Sequence, residues 1–184
     1  MKTEVHIHGS AFLCKGVRLS QVEQALRPWL DYLDVDTLAE AHSLEREEPG
    51  ITFDTKERTV NICWTGDVGR SFHTRLAEAF HNLGPLTEYA SEIEVTYYPE
   101  HGDDEFHQMF VGPSAEAIHE FRRQCALEDI SGILSRHLDA QAIEQVTALI
   151  NQLFDTDLAA KRTGGEQPAS STVIPLHPRN KHLH

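Results

Sequence analysis

Cysteine is scarce in this chain of 184 residues. Cys14, Cys63 and Cys125 are odd in number, far apart and without a CxxC pair, which fits reduced thiols inside a cell better than a disulfide framework. Long apolar runs are also missing: none approaches the ~18 residues that a membrane span needs. The start, Met1-Lys2-Thr3-Glu4, leads into a polar strand rather than an apolar leader, so the expectation is a cytoplasmic protein without a membrane partner. Positive charge is short as well. Sixteen Lys and Arg stand against 29 Asp and Glu, a formal net charge of −13, which disfavours phosphate backbones and anionic lipid. GxGxxG, P-loop, HExxH and GxSxG patterns are all absent, and so are internal repeats, so no catalytic residue and no cofactor is assigned from a motif.

What is present is an ordinary globular composition, 40% hydrophobic and 24% charged, on a chain long enough to bury a core. The charge is uneven. From Lys161 onward four Lys and Arg face one Glu, a net of +3, which leaves −16 on the first 160 residues.

Alternation marks a first strand over about 4–13, with Val5, Ile7, Ala11 and Leu13 on one side and His6, His8, Ser10 and Phe12 on the other. Ser20 and Glu23 make a capping-box pattern ahead of a helical stripe, Val22, Leu26, Trp29, Leu30 and Leu33. Residues 34–48 fit either a short helix or the approach to a strand. "GITFDTKERTVNICW" reads as a hairpin, 70–83 as a helix stopped by Gly84-Pro85, and 93–97 and 106–111 as two further strands. Three short helices follow, the first capped by Ser114 and the last by Asp139.

Strand–helix–strand–strand–helix–strand over residues 4–98 is the order of a ferredoxin-like split βαβ, an α+β antiparallel sheet. The expected organisation is a ferredoxin-like domain over 1–112 with one extra hairpin strand, a C-terminal helical subdomain over 113–160, and a polar, Gly/Ser/Pro-bearing disordered tail over 161–184. In the tail, "STVIPLHPR" is an apolar island of a kind that can add to a partner's sheet edge.

In such a fold both helices cover one sheet face. The other face would carry His6 and His8 beside Asn61 and Cys63 of the third strand and Glu94 of the fourth. Imidazole, thiolate and carboxylate are all zinc ligands, which makes His6, His8, Cys63 and Glu94 a candidate zinc set. No ligand spacing supports it, and with twelve histidines in the chain a chance pair is common, so the sequence favours a polar sheet face with no cofactor.

The loop "HGSAFLCKGVRLS" joins the first strand to the first helix, and in it Lys15, Gly16, Val17 and Arg18 could cradle an anion with backbone amides and a guanidinium. A His-Gly strand end, a Gly-Val turn and an arginine before a helix resemble the acylphosphatase loop, and Asn61 sits on the strand where that family uses an asparagine. The resemblance implies phosphate binding by Lys15, Gly16 and Arg18. It covers about ten residues, with a longer spacing and without the glycine-rich run.

The third strand, "TVNICW", lacks the stacking aromatics of RNA-binding sheets, so no nucleic-acid partner is expected. The acidic runs "EREE" at 45–48 and "DDE" at 103–105 would instead suit a nucleic-acid mimic that occupies a basic groove. The reading that takes in most of the chain is a non-catalytic binding protein whose partner is another protein or a second copy of itself, with Phe12 and Tyr98 on the uncovered sheet face as the contact.

Overall fold

The computed structural model describes residues 3–163, which divide into two compact units, 3–113 and 114–163. The expected tail therefore lies almost wholly outside the described residues, the apolar island included.

The first unit is α+β. Strands β1 (Thr3–Phe12), β2 (Gly50–Asp54), β3 (Thr59–Val68), β4 (Ser91–Tyr98) and β5 (Glu105–Val111) form one antiparallel sheet in the order β2-β3-β1-β4-β5. β1 is central. Its ladder to β3 runs unbroken from Thr3 opposite Val68 to Phe12 opposite Thr59, and Glu4–Gly9 pair with β4 on the other side. Strict alternation sends Val5, Ile7, Ala11, Val60, Ile62, Trp64, Ile93 and Val95 into the core.

Helices α1 (Leu19–Ala25), α2 (Arg27–Leu33) and α3 (Phe72–Leu83) supply much of the rest of that core, with Leu38 and Ala41 from the loop after α2. Trp29 is its centre. It is fully buried, and its ring lies edge-on to Trp64, Phe72 and Phe80 at 5.6, 6.3 and 6.1 Å. Gly66 permits the layout of β3, because a Cβ there would stand 2.2 Å from the Trp64 ring.

Three local expectations are corrected. Ser20 lies inside α1 and does not cap it; Arg18 is the N-cap, and its amide donates to Gln21 Oε1 at 3.1 Å. Glu23 instead accepts from the Leu38 amide at 3.3 Å, holding the next loop. Val22, Leu26, Trp29 and Leu30 of the stripe are buried and Leu33 is half-buried, but the helix breaks at Leu26, because Pro28 has no N–H to continue the ladder. Residues 34–48 are neither helix nor strand: Asp34 turns left-handed at φ 58°, one 3-10 turn covers Leu38–Glu40, and an irregular loop runs to β2.

The second unit is an antiparallel pair of long helices, α4 (Ala115–Leu134) and α5 (Ala140–Thr163), where three short ones were expected. The apolar stripe of α4 slips between Cys125 and Ile130, which imitates a break, yet no proline or glycine interrupts the backbone there. Both foreseen caps form: Ser114 Oγ accepts from the Ala117 amide at 3.2 Å, and Asp139 Oδ1 from the Ala142 amide at 2.9 Å. Every buried hydrophobic residue among those described lies between Val5 and Val111, so this pair contains none. No helix among the described residues is long and apolar enough to cross a membrane.

Candidate functional site

The second face of the sheet, away from α1–α3, is polar in its middle. Register sets Glu94, His8 and Cys63 in one row across β4, β1 and β3, and Thr96, His6 and Thr65 in the next. The His6 and His8 rings stack along β1 with centroids 6.3 Å apart and planes 13° from parallel.

The sheet alone does not complete the site. Beyond the end of β2, the edge of β3 is covered by the loop that precedes it: the Leu44 amide donates to the Thr65 carbonyl at 2.8 Å, and Trp64 Nε1 donates to the His42 carbonyl at 3.0 Å. Gly50, at φ 75°, turns that loop into β2 opposite Cys63; a Cβ there would lie 2.8 Å from the Ala41 carbonyl oxygen. This path brings Glu48 over the second face. Its Oε2 accepts from Ser43 Oγ at 2.5 Å and its Oε1 from Thr65 Oγ1 at 3.1 Å. His6 Nδ1 then lies 2.9 Å from Thr65 Oγ1 and 3.2 Å from Glu48 Oε1. One ligand-competent atom each of His6, Glu48 and Cys63 falls within 4.8 Å of the others.

The His6 and Glu48 side chains are 29% and 17% exposed, so the group is shielded yet reachable. Burial pushes the Cys63 thiol above its ordinary range, and the neighbouring Glu48 carboxylate pushes it further.

Of the four residues read from sequence as zinc ligands, His6 and Cys63 are in this group. His8 and Glu94 share the face and face each other across β1 and β4, but both are exposed and neither joins the converging atoms. Glu48 was missed as a ligand because "EREE" read as a solvated acidic run. The available signal was its place two residues before a glycine that starts the strand beside Cys63.

Lys15, Gly16 and Arg18 are exposed in the turn before α1, with Gly16 at φ 89°. The Asn61 amide oxygen accepts from Ser10 Oγ at 2.9 Å. Phe12 packs on Tyr89 at 5.1 Å at one end of β1, whereas Tyr98 pairs with Glu4 at the other, so the two do not form one patch.

A second polar cluster, on the core side of the sheet, has no counterpart in the sequence reading. His73 Nδ1 lies 3.0 Å from Tyr97 Oη, and His107 packs on both rings at 5.6 and 5.3 Å. Burial first, and His107 second, hold the His73 pKa below the ordinary histidine value. Burial, Glu105 and Tyr32 together hold the Tyr97 hydroxyl above its own.

The features define an α+β protein with a five-stranded antiparallel sheet, a polar second face and an appended helix pair. By its sequence over residues 3–155 the chain belongs to a family of unknown function, DUF6806. Neither the curated proteins nor the solved structures contain a match to it.

Proposed function

We infer that this is a non-catalytic binding protein that works by self-association, with the α4–α5 pair as its contact surface. One observation carries the reading: two helices of 20 and 24 residues carry many apolar side chains, yet none of their residues whose burial is described is buried. Ile143, Val146, Ile150 and Phe154 are half-buried, while Ile133, Leu149 and Leu153 are 62%, 55% and 59% exposed. Two helices bury one seam between them and leave the flanks wet. A second hairpin makes four helices, a bundle that encloses a core.

A second copy fits better than a basic partner recognised by charge, because the exposed side chains that need cover are leucine and isoleucine. The like charge of two copies opposes the contact: residues 114–160 hold eight acids and three arginines. Association therefore strengthens as salt screens that repulsion.

The strand order β2-β3-β1-β4 supports a ferredoxin-like split βαβ with β5 as the added strand. Three cysteines without a disulfide support a reducing, cytoplasmic setting. Phe12 and Tyr98 would add contacts at the two ends of the second sheet face.

The test is the mass of the full chain by light scattering for wild type, Leu149→Lys/Leu153→Lys and Phe12→Asp. Buried lysines cost several kcal/mol, so the double variant should weaken association at least about a hundredfold, at ~1.4 kcal/mol per tenfold. Phe12→Asp should weaken it less. A wild type that stays monomeric at high concentration, or a double variant that associates as tightly, overturns the reading.

A further inference from the structure

We propose that His6, Glu48 and Cys63 form a site for one divalent cation of the zinc type, with the fourth coordination position left to an exogenous ligand. The three residues come from β1, from the loop before β2 and from β3, so only the folded sheet with its edge loop assembles them. Zinc ligands at about 2.0–2.3 Å from the metal stand about 3.3–3.8 Å apart, so donor atoms already within 4.8 Å need only small side-chain adjustments. Among the described residues no other three His, Cys, Asp or Glu side chains converge as closely.

A polar network that merely pins the loop would explain part of this arrangement. Ser43 and Thr65 do tie Glu48 down, and Thr65 engages His6. Such a network does not account for Cys63, whose thiol makes no hydrogen bond among the described residues yet lies within 4.8 Å of the carboxylate. Charge balance accounts for both. A thiolate and a carboxylate cancel a divalent cation, and a neutral imidazole completes a mixed N, O, S set of the kind zinc accepts. Thr65 and Ser43 then act as the outer hydrogen-bond partners that fix a ligating carboxylate and imidazole. His8 stacks on His6 but stays outside the ligand set, and its partner across the strands, Glu94, does as well.

The test uses full-length protein purified without a metal-affinity step, kept reduced, stripped of metal and titrated with Co²⁺ as a spectroscopic probe. A thiolate-to-cobalt charge-transfer band in the near ultraviolet should rise to one equivalent. Cys63→Ser should abolish it, and Glu48→Gln and His6→Asn should weaken Co²⁺ binding at least about tenfold. His8→Asn should keep the band, as should Cys14→Ser and Cys125→Ser. In the unmutated protein, where no variant can misfold, Zn²⁺ should slow alkylation of Cys63 at least about tenfold and leave Cys14 and Cys125 unchanged. A folded wild type without the band, a band that survives Cys63→Ser or vanishes in His8→Asn, or alkylation of Cys63 indifferent to Zn²⁺, overturns the proposal. Because the site lies in the first unit, these results are independent of whether the helix pair associates.

Discussion

The two tryptophans offer a matched pair of core substitutions whose costs should differ for one stated reason. Both are buried and packed edge-on to each other, so replacing either with phenylalanine removes comparable apolar area and opens a comparable void. Their indole nitrogens differ. Trp64 Nε1 donates to the His42 carbonyl at 3.0 Å, and this bond helps to lay the loop that carries Glu48 along β3. Trp29 Nε1 is buried with no hydrogen-bond partner among the described residues. Removing a satisfied hydrogen bond costs about 0.5–1.5 kcal/mol, whereas removing a buried unsatisfied donor relieves about 1–3 kcal/mol of desolvation. Trp64→Phe should therefore cost at least about 1.5 kcal/mol more than Trp29→Phe. Urea unfolding followed by far-ultraviolet circular dichroism reads this as a difference in midpoint at constant slope. If Trp29→Phe destabilises as much as Trp64→Phe, the account of the core is refuted.

Acid should weaken the first unit through His73. Its folded pKa lies below the ordinary value of 6.5, so the unfolded chain takes up the proton first, and stability should fall as the pH drops below about 6.5. His73→Gln should flatten that slope in a pH series of thermal melts. Gly50→Ala places a side chain at φ 75° and within 2.8 Å of a carbonyl oxygen, so it should cost about 1–3 kcal/mol or more by urea unfolding. Gly16→Ala, with φ 89° but open space around it, should cost less, and the difference isolates the Ala41 contact.

The hydrophobic pattern made most of the first unit legible. Period-two alternation in "EVHIHGSAFL" and "TVNICW" assigned each side chain to a face, and the faces are as read. Helix ends were less legible because they rest on single bonds: Gln21 rather than Glu23 reaches the first free amide of α1, and Pro28 splits a stripe whose apolar spacing shows no break. The candidate site was half legible. His6 and Cys63 follow from strand alternation and neighbourhood, but Glu48 depends on how an irregular loop drapes over a strand edge, and no periodicity encodes that. The His73–Tyr97–His107 cluster joins a helix to two strands, and its members sit singly in sequence. In α4 the slip of the apolar stripe carried more weight than it deserved, because a continuous helix tolerates it where no breaker residue intervenes.

Self-association through α4 and α5 is tested most directly by amide hydrogen exchange across residues 114–160, measured on the full chain at several protein concentrations. Protection should rise with concentration and level off, with half the change at the concentration where the measured mass passes midway between one and two copies of the 20.8 kDa chain. Exchange in the middle of the sheet, at Val5–Ile7 of β1 and their partners Trp64–Gly66 of β3, should not change. Protection of the helix pair that is already complete at the lowest concentration and constant thereafter would mean that the chain covers these helices itself, and would contradict the account.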